Sequence, residues 1–265
     1  ANLGYQSSTQ SQLVEEFMRD YYLHATNIYT FSQNLFEHCR QTKRSLKKVI
    51  SSLTKKSVGH GFHISDSSLI YSGDAKEDFK KDKLLLLNAL ELCKQHQVLP
   101  DYKLQRQMRL SKNIINAQFM KGEEVRGFLF SILKDKSAEK ILRLMHETNI
   151  LEQILPEFGL AHCKVNHDFY HHYTADEHSL RVIRFLDELA VTGITNPTDL
   201  QALYQGYLRK WILKLSALLQ SVRTAPTDKP GEFIKSLKER LSLEDADVQV
   251  LLFLLADPYT MIETA

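Results

Sequence analysis

The chain has 265 residues, enough to bury a sizeable core and to form one large or two ordinary domains. Gly (10) and Pro (6) are scarce, which favours helices over a turn-rich β architecture, and a net charge of +2 is too small to argue by itself for nucleic acid or an anionic membrane. Cys39, Cys93 and Cys163 are odd in number, widely spaced and without a CxxC pattern, so they read as reduced thiols of a cytosolic protein. No apolar run has transmembrane length, and Ala1-Asn2-Leu3-Gly4 does not open a signal peptide. With no initiator Met, the chain is expected to be a piece of something longer.

From Leu13 onward, Phe17, Tyr21, Ile28, Phe31 and Leu35 recur at three- and four-residue steps or their sums, which predicts a long amphipathic helix to about Cys39. A basic segment follows, from Arg40 through Lys43, Arg44, Lys47 and Lys48 to Lys55 and Lys56, with no acid between Glu37 and Asp66. No aromatic residues interleave with these charges, so a solvated helix face is favoured over a nucleic-acid platform. Residues 61–65 and 68–71 alternate around Asp66-Ser67, the one convincing strand signal, and predict a small β-hairpin.

Helical periodicity resumes over 79–96, 102–115, 123–133 and 138–146, with Leu84-Leu85-Leu86-Leu87 apolar all round and expected in the core. Pro156 in Leu155-Pro156-Glu157-Phe158-Gly159 marks the expected junction between a helical domain, 1–155, and a second domain, 156–265. Thr174 and Glu177 have capping-box spacing, predicting a helix that carries His178, Val182, Phe185, Leu186 and Leu189 inward. Leu208, Trp211, Ile212, Leu215, Leu218, Leu219 and Val222 form another apolar stripe, and 248–255 a third. The fold class is therefore mainly α, a helical bundle with one hairpin followed by a second helical domain.

Histidine is unevenly distributed: five of eleven lie between His162 and His178, and none in the 87 residues that follow. His167 and His171, four apart with Asp168 nearby, could share a helical face and offer two nitrogens and a carboxylate to a divalent metal. A helix start at Thr174 interrupts that face, so the favoured reading of the residues alone is a polar connecting loop with one or two hydrogen-bonded histidines. A metal site would also need ligands converging from other elements, and beyond His178 no imidazole is left to contribute.

The string Asp168-Phe169-Tyr170-His171-His172-Tyr173-Thr174-Ala175-Asp176-Glu177-His178, preceded by Leu155-Pro156-Glu157-Phe158-Gly159, closely resembles the start of the HD domain in the bifunctional protein-PII uridylyltransferase and uridylyl-removing enzymes. Phe17-Met18-Arg19-Asp20-Tyr21-Tyr22 resembles the helix that follows the nucleotidyltransferase domain in that family, and the hairpin and helices between fit its order of elements. The resemblance makes His178 the first metal-binding histidine. The family's next ligands, a His-Asp pair in the setting Ala-Leu-Phe-His-Asp-Ile, fall on Gln220 and Ser221 of Ala217-Leu218-Leu219-Gln220-Ser221-Val222. An Asp-His-Ser segment corresponds to Asp228-Lys229-Pro230, and a last histidine falls near Asp257.

Gln and Ser supply neutral oxygens where imidazole and carboxylate are needed, so the resemblance implies a degenerate HD domain with no functional metal and no activated water. A Gly-Ser turn followed by Asp-x-Asp, which the transferase chemistry needs to hold the triphosphate and Mg²⁺, does not occur in these 265 residues. The expectation is therefore a structural and regulatory module without catalytic residues or a cofactor of its own. Its expected partners are an upstream Mg-dependent nucleotidyltransferase domain of a cytoplasmic, nitrogen-signalling parent and a PII-like protein, with no membrane. The alternatives are a metal phosphohydrolase using 162–178 with Asp228 or Asp257, and nucleic-acid binding through Arg40 to Lys56.

Overall fold

The computed structural model describes residues 10–43, 55–115, 119, 122–165, 173–191, 199–220 and 230–256. These residues form twelve α-helices and a four-stranded sheet, the mainly α architecture that the periodicity predicts. No helix among them is long and apolar enough to cross a membrane. The chain divides into two compact units, one of residues 1–116, 144–153 and 163–171, the other of residues 117–143, 154–162 and 172–265.

The first unit opens with α1, Gln10–Lys43, longer at both ends than the apolar stripe alone marks. The sheet follows, with β1 Lys56–Gly59, β2 Phe62–Ser65, β3 Ser68–Tyr71 and β4 Leu99–Pro100 in that spatial order. β2 and β3 make the expected hairpin, antiparallel with Phe62 opposite Tyr71 and Ser65 opposite Ser68. Its two-residue turn holds Asp66 and Ser67 at φ +50° and +63°, the left-handed pair that matches the twist of the flanking strands. The hairpin is not the whole sheet. β1 pairs antiparallel with β2 through an irregularity between Ser57 and Gly59, and the two-residue β4 pairs parallel with β3. Neither carries the apolar alternation by which strands are recognised: β1 is a largely exposed edge, and β4 is too short to have a period.

The helix expected over 79–96 is two helices, α2 Ala75–Lys81 and α3 Leu84–His96. Asp82 divides them: its backbone N–H closes α2 on the Asp78 carbonyl at 2.8 Å, while its carboxylate accepts from the Leu84 N–H at 2.9 Å. A short acidic side chain that captures a neighbouring N–H competes with continuous helix in this way. Leu84, at the start of α3, is 40% exposed, so the four-leucine run is not sealed all round; Leu86 and Leu87 are the buried pair. α4, Tyr102–Leu110, is capped by Asp101, whose carboxylate accepts from the Leu104 N–H at 2.8 Å, and ends before a 3₁₀ turn at Lys112–Ile114. Phe62, Leu69, Phe79, Leu86, Leu90, Leu104 and Met108 are all buried in this unit. Gly73 is required there by close approach, because a Cβ would lie 2.7 Å from Asp78 Oδ2 and 2.8 Å from the Tyr71 ring.

The remaining helices are α5 Glu123–Lys134, α6 Ala138–Glu147, α7 Leu151–Ile154, α8 Ala175–Leu189, α9 Asp199–Gly206, α10 Lys210–Leu219, α11 Pro230–Leu241 and α12 Asp245–Ala256. In the second unit α10 is central, packing against α5, α8 and α12. Its residues Ile212, Leu215, Leu218 and Leu219 are buried, as the stripe predicts, and Ala217 with them, whereas Leu208 precedes the helix and is 95% exposed. The third apolar run is only half sealed, since α12 buries Val248 and Leu251 but leaves Phe253 68% exposed.

Candidate functional site

α8 begins where the capping box places it, with Thr174 as its N-cap. The reciprocal capping bonds do not form: the Thr174 side chain makes no cap hydrogen bond, and Glu177 turns to arginines instead. Arg143 Nη1 donates to Glu177 Oε2 at 2.8 Å and its Nε to Glu139 at 2.5 Å, while Arg181 Nε donates to Glu177 Oε1 at 2.8 Å. Arg181 also lies over the Tyr173 ring, 3.9 Å from its centroid. Burial alone would raise the Glu177 carboxyl, but hydrogen bonds and charge from Arg143 and Arg181 outweigh it and hold it below the usual range. These guanidinium forks outcompete a weak N-terminal cap.

The capture of Glu177 goes with a rotated helix. The buried face of α8 runs through Asp176, Ser179, Leu180 and Ile183, so Phe185 is 48% exposed and Val182 only half-buried, against expectation, whereas Leu189 at its end is buried as expected. His178 lies in the first turn, half-buried, with its backbone N–H bonded to the Thr174 carbonyl at 2.8 Å. Gln220, also half-buried, is the C-cap of α10, the helix packed against α8. Ser221, Asp257, His167, Asp168 and His171 all lie outside the described residues, as do Val222 and Asp228. Among the five clustered histidines, His162 has a carboxylate partner, Nδ1 lying 3.4 Å from Oδ2 of the buried Asp176.

The second unit also buries a charge inside an apolar helix. Lys214, on α10, is 2% exposed, and its Nζ donates at 2.5 Å to both the Asp135 carbonyl and Asp187 Oδ1. The other Asp187 oxygen accepts from the Glu139 backbone N–H at 2.8 Å. One ammonium thus ties the turn between α5 and α6 to α8 and α10. Burial raises the Asp187 carboxyl above the ordinary range, and the Glu139 N–H and Lys214 offset only part of that. Tyr204, on α9, is pushed up to about 12 by burial and then by the charge of Asp187, and its hydroxyl has no hydrogen-bond partner among the described residues. With both Asp187 oxygens occupied and the lysine sealed, this cluster holds helices together and presents no group to a substrate. Its signal in the sequence was a lone lysine inside Trp211-Ile212-Leu213-Lys214-Leu215, three residues after Trp211 and four before Leu218 on one helical face.

Known proteins are similar to this chain along its length. Aligned over 99% of the chain, the bifunctional uridylyltransferase/uridylyl-removing enzyme of Bradyrhizobium sp. (strain ORS 278) is 28% identical, and those of Bradyrhizobium diazoefficiens and Nitrobacter winogradskyi are each 27% identical. The chain resembles bifunctional uridylyltransferase/uridylyl-removing enzymes from end to end. No family model matches it. It spans about 30% of the length of the curated relatives, so those proteins are roughly three times as long as the region they share with it. The resemblance first seen in the strings around Phe17 and His178 therefore extends over the helices and hairpin between them.

Proposed function

We propose that the chain is the central helical region and HD domain of a protein similar to the uridylyltransferase/uridylyl-removing enzymes, divided near Pro156, and that its HD domain has lost its metal. The carrying observation is the alignment over 99% of the chain; the family resemblance then implies Gln220-Ser221 where a His-Asp pair would stand. The donor chemistry does not fit a hydrolytic metal: His178 offers one imidazole, Gln220 an amide and Ser221 a hydroxyl, and Asp257 alone brings an anionic oxygen. No step of phosphodiester hydrolysis is derived through it.

What the module does instead is structural and regulatory. It would support an upstream Mg-dependent nucleotidyltransferase domain of a cytoplasmic parent acting in nitrogen signalling on a PII-like protein. The internal ties support a scaffold role, since the Lys214 cluster and the Arg143–Glu177 pair fix α8 against its neighbours with none of these groups left for chemistry. Elemental analysis of the purified chain, with and without the double change Gln220→His and Ser221→Asp, tests the metal half of this reading. The unaltered chain is expected to carry no stoichiometric Mn, Fe or Zn, and the double variant to gain affinity. Stoichiometric metal with phosphodiester turnover in the unaltered chain would overturn it. The complete gene tests the other half, which fails if no Gly-Ser and Asp-x-Asp pair lies upstream.

A further inference from the structure

The first unit holds a cavity of about 300 Å³ between the end of β3, the turn into α2 and the first two turns of α4. Its wall carries hydrogen-bonding groups that the chain itself does not balance. Asp74 caps α2 and Asp101 caps α4, each through Oδ1, which accepts from the Lys76 N–H at 3.1 Å and from the Leu104 N–H at 2.8 Å. Neither Oδ2 receives a donor among the described residues. Gln107 lines the same cavity, and its buried Oε1 has no hydrogen-bond partner among the described residues. An amide oxygen buried in that state costs free energy that a donor would recover. Lys103, the cation among the lining residues, is exposed and forms no salt bridge with either carboxylate. Burial raises the Asp101 carboxyl above its ordinary range, and the Leu104 N–H and the charge of Lys103 offset only part of that. The Tyr71 hydroxyl, which donates to Asp78 Oδ2 at 2.9 Å, is raised by burial, by that bond and by the charges of Asp78, Asp74 and Asp82. The field at this wall is therefore negative.

We propose that this cavity binds a small aliphatic diamine, one ammonium meeting Asp101 and the Gln107 amide and the other meeting Asp74. Charge selects the ligand first. Two carboxylates against one lysine disfavour an anion, and a neutral ligand leaves the half-buried Asp101 uncompensated. Spacing then selects an organic cation over a bare divalent ion. Among the described residues, neither Asp74 nor Asp101 belongs to a group of three histidine, cysteine or acidic side chains whose ligand atoms lie within 4.8 Å of one another. A calcium or magnesium ion gathers about six or more oxygens at roughly 2.0–2.6 Å, which calls for a tighter arrangement. Each ammonium instead brings three N–H donors, and a short carbon chain between two of them reaches acceptors that stand apart. Tyr71 and Leu104, which also line the cavity, give the methylenes an apolar surface. Gly73 keeps that wall closely packed, since a Cβ there would meet both Asp78 and the Tyr71 ring.

Isothermal titration of the 265-residue chain with putrescine at low ionic strength is the test. One saturable site per chain is expected, with butylamine binding about tenfold more weakly for want of its second ammonium and succinate giving no heat of binding. Asn caps a helix about as well as Asp, so Asp74→Asn and Asp101→Asn remove a charge and keep the cap. Each is expected to weaken putrescine binding about tenfold with circular dichroism unchanged. Gln107→Leu should weaken it too, whereas Lys103→Met should tighten it about threefold by removing a competing cation. No saturation at millimolar putrescine, an affinity untouched by both Asn variants, equal binding of butylamine, or a preference for Mg²⁺ or succinate would overturn the proposal. If Asp101→Asn disturbs the fold, Asp74→Asn and Lys103→Met, both at exposed residues, still decide the matter.

Discussion

α10 and α1 are both amphipathic by sequence, and they end in opposite circumstances. α10 lies among α5, α8 and α12 and buries even its lysine, whereas α1 leaves aromatic rings in water along most of its length. The difference lies in what surrounds each helix, not in the helix itself. A lysine is tolerated in the interior of α10 because Asp187 and the Asp135 carbonyl answer its charge. On α1, Ile28, Tyr29, Phe31 and Phe36 stay between 65 and 69% exposed instead.

The largest expected effect falls on the sealed side. Lys214→Ala leaves Asp187 buried without its counter-ion and is expected to cost about 3–5 kcal/mol of stability in urea denaturation. Adding Asp187→Leu to Lys214→Met should cost less than the two single changes summed, because no unpaired charge remains. Strict additivity would show that the pair is not coupled and that the contrast with α1 has been overdrawn.

Glu177→Gln is expected to cost about 1 kcal/mol near neutral pH, since its arginine partners are partly exposed and screened. The sign in acid follows from the direction of its shift. A carboxyl held below its unfolded value, about 4.3, contributes stability above that pH and loses it as pH falls through the folded value. The gap between Glu177→Gln and the parent chain should therefore be constant from neutral pH to about 5 and close below 4. Asp187 runs the other way: its carboxyl is raised, so its contribution is complete below about 3.9 and declines as pH rises through its folded value. Parallel acid profiles for Glu177→Gln and Asp187→Asn would contradict both assignments. Tyr204→Phe removes a buried hydroxyl with no partner among the described residues and is expected to be neutral or to stabilise by up to about 1 kcal/mol, read by the same denaturation.

Helices and the hairpin were legible in the sequence because three- and four-residue steps and Asp66-Ser67 between alternating runs are local signals. β1 was not, since Lys56-Ser57-Val58-Gly59 pairs without apolar alternation, and neither was the break at Asp82, which depends on where one carboxylate finds its donor. The rotation of α8 was hidden for a related reason. Its apolar residues permit two inward faces, and it is Arg143, thirty-odd residues upstream, that engages Glu177 on the observed one. The candidate metal positions were read from a family likeness, and the described residues place two of them, His178 and Gln220, on the packed helices α8 and α10. Lys214 was visible as an anomaly in an apolar run, though its partners, 27 residues away on Asp187 and 79 away on Asp135, were not.

The smallest expected effect concerns α1 and sharpens the contrast most. If its aromatic face is open in the 265-residue chain, Ile28→Glu exchanges one solvated side chain for another and should change stability by no more than about 0.5 kcal/mol. An equal substitution in α10, such as Leu218→Glu, places an unpaired carboxylate in the core and should prevent folding or cost several kcal/mol, as a rough expectation from buried-charge energetics. Comparing the two in one denaturation series separates helices by their surroundings instead of their composition. A loss of more than about 1 kcal/mol for Ile28→Glu would mean that α1 already has a cover within this chain, and the contrast with α10 would vanish.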